Sequence, residues 1–347
     1  MALFEMKDVD KKYYEERLKG FLPSKIIDVH THVWLDSFRI VDANAPLRAV
    51  TWPSLVAKDN SIEDLMETYR LMLPDTEVIP VIFGKVSMDF DVEANNRYIE
   101  DCSKKYQFPA LAVTRPEWSA EKFEEVIEQG GFLGCKVYLN FAPAYVPGKE
   151  IRIFDFLPPH HLEVLNRRGW IVMLHIPRDL RFRDPVNQAQ LLEIDRRYPN
   201  ARVIVAHVGR AYCNEDIGNA FEVLAEAKGL IYDITANTNQ YVFERLIEAV
   251  GPKRVMFGSD MPILRMRMRR ICEDGRYVNL VPKGLYGDVS GDKNMREVDE
   301  EEGSKLSFFM YEELDAFRLA AANTGLSRQD VEDIFYNNAA KLFGVKR

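Results

Sequence analysis

The sequence predicts an α/β fold, a closed (β/α)8 TIM barrel. Two observations predict it. Eight short β-rich runs alternate with segments of helical period, which implies a parallel sheet. Residues with metal-binding chemistry then recur where those runs end, at intervals that match βα units.

The strands are expected at Lys25–Val29, Val78–Phe83, Phe108–Val113, Cys135–Leu139, Ile171–Leu174, Arg202–Ala206, Leu230–Ile234 and Val255–Phe257. Helical segments lie between them. Ser61–Leu73 opens on a Ser N-cap with Glu63 and Asp64 in its first turn. Ala120–Gln129 stops at Gly130-Gly131, Pro159–Arg168 stops at Gly169, and Asn187–Tyr198 is followed by Pro199. A minimal barrel allots ~31 residues to each βα unit. His175 and His207 are 32 residues apart, and Lys136 and His175 are 39 apart. The polar residues therefore fall at the ends of strands 1, 4, 5, 6 and 8, on the face where barrel active sites form. A doubly wound sheet is the rival fold, but it would not bring strands 1 and 8 together.

One domain is expected over residues 1–347. It has a barrel core at about 25–260, an N-terminal helical arm at Met1–Leu22 and a long loop at Val33–Asn60. An insertion at 261–307 follows strand 8, and C-terminal helices occupy 308–347. Polar residues from Gly284 to Gly303, with four consecutive acids at 299–302, suggest that part of the insertion is mobile.

Composition bounds the function. The chain has 347 residues, 47% hydrophobic and 29% charged, and a net charge of -8, which suits a soluble globular protein and not a general nucleic-acid binder. No apolar run approaches the ~20 residues that cross a bilayer, and Met1–Gly20 lacks the apolar core of a secretory signal. Cys102, Cys135, Cys213 and Cys272 are widely spaced. That spacing argues against a disulfide framework or a zinc-thiolate knuckle and makes a cytoplasmic location the expectation. Small-molecule substrates are expected, without membrane or nucleic acid, and a homo-oligomer is allowed.

Four of the six histidines stand at strand ends. His30 and His32 are two residues apart, so in an extended strand both imidazoles point one way. His175 and Asp260 complete three imidazoles and a carboxylate, a set that suits zinc and also manganese or iron. A divalent ion there would lower the pKa of water toward about 7. Asp260 would both ligate it and accept the proton of the attacking water, and His207 would polarise the substrate carbonyl or stabilise the oxyanion. Asp260 as a helix N-cap and His207 as a buried structural histidine are the bland alternatives. Lys136 has three open roles: a carbamate bridging two metals, a cation for an anionic substrate, or a structural ion-pair partner. One metal and an unmodified Lys136 are expected. Arg178 and Arg210, just past the strand-5 and strand-6 histidines, point to a carboxylated substrate, as do the arginines at 265, 267, 269 and 270. For these last four, a solvated charged helix or pairing with the acidic 297–302 run is the alternative. Trp34, Tyr138 and Tyr145 are candidates to line the mouth or to pack under loops. His160 and His161 diverge on a helix and read as structural.

The motifs His-Thr-His, Gly-Cys-Lys, Leu-His-Ile-Pro-Arg, Ala-His-Val-Gly-Arg and Gly-Ser-Asp-Met-Pro resemble those of the amidohydrolase superfamily. The branch that they resemble is the amidohydrolase-related (amidohydrolase 2) group of metal-dependent TIM-barrel hydrolases. The closing Asn-Asn-Ala-Ala-Lys-Leu-Phe-Gly resembles that group's terminal helix. The resemblance implies that His30, His32, His175 and Asp260 are ligands and that His207 is catalytic or a ligand. It implies hydrolysis of amide, ester or lactone bonds, with decarboxylases and hydratases as relatives. A metal-dependent hydrolase of a small anionic substrate is the resulting expectation. A decarboxylase or hydratase on the same site is the first alternative, and a ligand-binding barrel without chemistry is the second. The insertion after strand 8 is longer than the family leads one to expect, so pocket shape and substrate lie beyond what the resemblance carries.

Overall fold

The period-two apolar pattern of the strands decides which side chains face the barrel axis and which face the helices. In the computed structural model, which describes residues 3–40 and 53–346, eight parallel strands follow one another around the fold. They are β1 Lys25–His32, β2 Glu77–Phe83, β3 Ala112–Val113, β4 Gly134–Val137, β5 Ile171–Leu174, β6 Arg202–Val205, β7 Ile231–Asp233 and β8 Val255–Met256. β3 to β8 form one six-stranded sheet in chain order, and β1 pairs with β2. Backbone hydrogen bonds join the two sheets into a ring. Leu111 N–H donates to the Ile82 carbonyl at 3.0 Å between β2 and β3. Val29 N–H donates to Phe257 O at 3.1 Å, and His32 N–H to Met261 O at 2.9 Å, between β8 and β1. This closure sets β1 beside β8, which an open doubly wound sheet would not do.

Ile27, Val29, Val81, Leu111, Met173, Ile204 and Met256 form the inner cluster, joined by Tyr336, Ala339 and Phe343 of the C-terminal segment. Their neighbours Ile26, Cys135, Val172, Val203 and Val255 belong to the outer layer with helix residues such as Phe123, Ile127 and Leu191. Helix starts follow local chemistry. Ser61 and Asp64 form a reciprocal capping box on the helix Ile62–Met72. Asp184 caps Pro185–Arg197 through the N–H groups of Val186 and Asn187.

The insertion is ordered by its own sheet: β9 Arg269–Glu273, β10 Arg276–Pro282 and β11 Met295–Val298. β9 and β10 are antiparallel, joined at Asp274-Gly275 with φ of 50° and 68°, the positive pair that a type I′ hairpin requires. The acidic stretch read as partly mobile carries β11 and then a helix, Glu300–Lys305, capped by Asp299. Asp10 of the N-terminal arm is buried and receives both Arg267 Nη1 and Nη2, at 2.8 and 2.6 Å. Part of the loop after β1, residues 41–52, lies outside the described residues.

One expectation is corrected. Cys213 and Cys272 are joined as a disulfide, their Cα atoms 5.9 Å apart, inside the ordinary range. The partners are 59 residues apart in sequence, and they meet only because β9 folds back over the loop after β6. The cysteine argument for a cytoplasmic location falls with it. Cys102 and Cys135 are free and buried. Among the described residues no helix is long and apolar enough to cross a membrane.

Candidate metal centre

A bulge in β1 aims the two histidines. Asp28 lies opposite Pro80 and Thr31 opposite Ile82, so β1 spends one residue more than β2 over the same span. The extra residue changes which parity faces the axis. Ile27 and Val29 fill the inner core below, and His30 and His32 occupy the mouth above. Asp28 secures the bulge: its carboxylate accepts the His30 and Ser259 N–H groups at 3.2 and 2.9 Å, and the Tyr69 hydroxyl at 2.7 Å. Complete burial pushes this carboxyl up to about 7 against those bonds. Gly258 is required here, because a Cβ would lie 2.8 Å from His30 Cβ and press on Thr235 Oγ1.

Each imidazole is tied from behind. His32 Nδ1 meets the Gly84 carbonyl at 2.9 Å, and His30 Nδ1 meets Asp233 Oδ2 at 2.9 Å. Both partners are acceptors, so Nδ1 carries the proton and Nε2 is a bare lone pair in the neutral ring. Those Nε2 atoms lie 3.2 and 3.5 Å from Asp260 Oδ1. Three acceptors thus converge with no proton of their own between them. Burial, followed by the Lys136 charge, holds His30 well below the usual histidine range. Burial would raise Asp260, while a proton on His32 and on the neighbouring imidazoles pulls the carboxyl below its usual range; with those rings neutral, the Lys136 ammonium is the positive charge that acts on it. Asp260 itself sits at φ 59°, its N–H bonded to the His30 carbonyl at 2.7 Å, so the β8–β1 seam fixes its direction.

His207 and His175 stand on the next strands. His207 Nδ1 lies 3.1 Å from the Thr235 carbonyl, and its ring is 4.9 Å from that of His30. Burial lowers its pKa to about 4, so it too is neutral with a bare Nε2. His175 packs against Tyr138 and His207, with ring centroids 4.4 and 5.2 Å apart. Its Nδ1 is buried without a hydrogen-bond partner among the described residues. Ligand atoms of His30, His32 and Asp260 come within 4.8 Å of one another, as do those of His30, His207 and Asp233. His175 belongs to neither group and stands one ring back. Lys136 reaches in from β4, with Nζ 2.8 Å from His30 Nε2, and burial pushes it down to about 8. An ammonium there already answers one of the converging lone pairs.

The converging lone pairs, the rear hydrogen bonds and the unpartnered His175 Nδ1 fit a divalent cation in chemistry and orientation. Asp233 was missed in the sequence. It ends β7 and joins the site: Oδ1 accepts the His207 and Thr235 N–H groups while Oδ2 orients His30. Its signal was the same as for the others, a polar residue closing an apolar strand.

The basic residues divide. Arg178 Nε donates to Asp184 at 3.1 Å and Arg267 binds Asp10. Arg269 lies 3.6 Å from Glu302 in the acidic run, and Arg265 Nη1 reaches Thr68. Arg210 Nη1 donates to the carbonyls of Ile176 and Pro177 and has no carboxylate within 4.0 Å among the described residues. Trp34 is buried, donating to Lys58 O, while Tyr145 is 86% exposed. His160 and His161 both meet the Trp118 carbonyl at 2.9 Å, away from the centre.

The comparisons agree with this architecture. A family model described as Amidohydrolase matches residues 27–271, and the chain belongs to that family, the amidohydrolase 2 group of TIM-barrel enzymes. Among similar solved structures is a 5-carboxyvanillate decarboxylase from Sphingomonas paucimobilis, with a TM-score of 0.57 and 14% identity, covering 93% of this chain and 100% of that one. A probable 2-pyrone-4,6-dicarboxylic acid hydrolase from Acinetobacter baumannii, with citric acid bound, aligns at 0.54 and 16%, covering 92% and 99%. A dihydroxybenzoic acid decarboxylase from Polaromonas, with manganese and 2-nitroresorcinol, aligns at 0.55 and 15%, covering 94% and 98%. At these identities the likeness is one of fold. No curated protein matches.

Proposed function

We propose that the protein is a metal-dependent hydrolase acting on an amide, ester or lactone bond of a small anionic substrate. The observation that carries the reading is the convergence of His30 Nε2, His32 Nε2 and Asp260 Oδ1. His30, His32 and Asp260 would hold the cation, with His175 as the fourth ligand; zinc, manganese and iron all suit the donors. When bound, the ion supplies Lewis acidity and makes water acidic enough to attack near neutral pH. Asp260, held ionised, accepts the proton of the attacking water. His207 presents a bare Nε2 that can take this proton over from Asp260 and deliver it to the departing amine or alkoxide, which then leaves neutral. It polarises a carbonyl only after it has gained the proton, because its Nδ1–H is committed to Thr235. Arg210 is assigned to a substrate carboxylate, since its charge is unmatched among the described residues, and Lys136 is a second cation for the same anionic group. Arg178 is the weaker candidate, because Asp184 already holds it.

Non-oxidative decarboxylation is the second reading, favoured by one observation. Arg210 Nη1 donates to the Ile176 carbonyl, one residue past His175, so a carboxylate that it held would lie beside the centre. Turnover in 18O-labelled water separates the two. Hydrolysis puts one label into product per bond broken and frees no carbon dioxide. Decarboxylation releases carbon dioxide and leaves the remaining product unlabelled. A panel of lactones, aryl esters, anilides and aromatic carboxylates left intact by the manganese- or zinc-loaded protein would defeat both.

A further inference from the structure

We propose that the insertion after β8 carries a specificity-determining residue, Arg270, whose guanidinium seats a substrate carboxylate remote from the reacting bond. The proposal deepens the reading above and takes its catalytic meaning from it, but the binding itself stands on separate residues. Arg270 lies on β9. Its Cζ is 4.7 Å from the ring centroid of Tyr212, 4.5 Å from Tyr277 and 4.5 Å from Phe309. Nε donates to Asn279 Oδ1 at 2.9 Å and Nη1 to the Ala236 carbonyl at 2.6 Å. Aromatic faces and two neutral acceptors thus fix the guanidinium, yet no carboxylate comes within 4.0 Å of it among the described residues.

The contrast with its neighbours is specific. Arg181 stacks on the same two tyrosines, with Cζ 5.3 and 5.1 Å away, but is matched by Asp216 at 2.5 Å. Arg267 and Arg269 each meet a carboxylate. A half-buried cation without a counter-ion is expensive unless a ligand supplies one. Burial already pushes the Arg270 guanidinium below its usual range. Nε and Nη1 are already engaged, which leaves Nη2 among the described residues to pair with a carboxylate in the plane of the guanidinium.

Position connects this guanidinium to the reaction. The Tyr212 ring touches both regions: its centroid lies 6.5 Å from the ring of His207 and 4.7 Å from Arg270 Cζ. A cleft of about 390 Å3 is lined by Tyr212 and Arg270 together with Asn214, Asn239 and Glu244. The substrate class that fits has its reacting group at His207 and a second, unreacted carboxylate one aromatic ring away. The Cys213–Cys272 bond pins the two segments on either side of this contact, since Cys213 adjoins Tyr212 and Cys272 lies two residues beyond Arg270.

Isothermal titration of the whole protein with isophthalate and with benzoate, each with and without manganese, tests the proposal. The wild type should bind isophthalate more tightly than benzoate. Arg270→Gln should lower isophthalate affinity roughly ten- to hundredfold, the worth of charged hydrogen bonds, and leave benzoate and manganese binding unchanged. Arg270→Lys keeps the charge but not the fork and should lose part of that affinity. It serves as the test if Arg270→Gln does not fold. Equal affinity for the two acids in the wild type, or variants that bind isophthalate as the wild type does, would overturn the proposal. Failure of manganese to bind, with discrimination between the acids intact, would defeat the metal reading and leave this one standing.

Discussion

Asp233 shows how much a single carboxylate decides. It fixes the His30 ring and the His207 backbone together. Groups of this kind support metal ligands from behind, and losing them weakens binding by roughly 10–100-fold. Asp233→Asn should therefore lower divalent-ion affinity by about that factor in a competition titration against a chromophoric chelator; unchanged affinity would remove its role. The strand-end rule exposed His30, His32, His175, His207 and Asp260 because each closes an apolar run. Asp233 obeys the same rule, but no second ligand lies near it in sequence to draw attention. The division among the arginines was not legible, because a guanidinium's partners come from distant segments. A residue outside the site offers a pH test. His161 is stacked on Phe123, and burial lowers it to about 4. The unfolded chain gains a proton below about pH 6.5, while the folded ring resists until about 4. Stability is therefore lost as pH falls through that window, by about 3 kcal/mol for this one group. Urea unfolding of His161→Phe at pH 7 and pH 4.5 should show a smaller pH-dependent loss than the wild type; parallel losses would contradict the assignment.

Elements were read more surely than their partnerships. The eight strands were legible within a few residues because buried parallel strands are short apolar runs between turn signals. β1 ran three residues further than expected, through His32, since its bulge continues pairing with β2 and with Met261. The hairpin β9–β10 was written as Asp274-Gly275 but lay hidden in a segment that reads as arginine-rich loop. The disulfide depended on that hairpin and was hidden with it. The N-terminal arm was visible as a helix, although its anchor was not. Arg267 binds both oxygens of Asp10, and the Ser307 hydroxyl donates to the same carboxylate at 2.7 Å. Removing one partner of such a buried pair leaves a bare charge, at a cost of about 3–5 kcal/mol. Asp10→Ala should lower unfolding free energy by that order in a denaturant titration, without changing metal stoichiometry. A loss below about 1 kcal/mol, the worth of an exposed pair, would show that the arm is not anchored there.

For the molecule as a whole, ring closure is what turns scattered residues into a site. β1 and β8 are over two hundred residues apart in sequence; the seam between them puts His30, His32 and Asp260 within bonding reach of one ion. An ion that binds only this folded arrangement must stabilise it by mass action, by about 2.7 kcal/mol at a hundred times its dissociation constant. The thermal midpoint should rise with added manganese or zinc in the wild type and stay flat in Asp260→Asn, which should also lose turnover. A midpoint that rises equally in both would place the binding elsewhere. The most direct measurement is anomalous diffraction from crystals grown with manganese. The account predicts a peak bonded to His30 Nε2, His32 Nε2 and Asp260, with Lys136 Nζ displaced from His30. A map with no peak at those atoms, and Lys136 still hydrogen-bonded to His30 at saturating manganese, would contradict it.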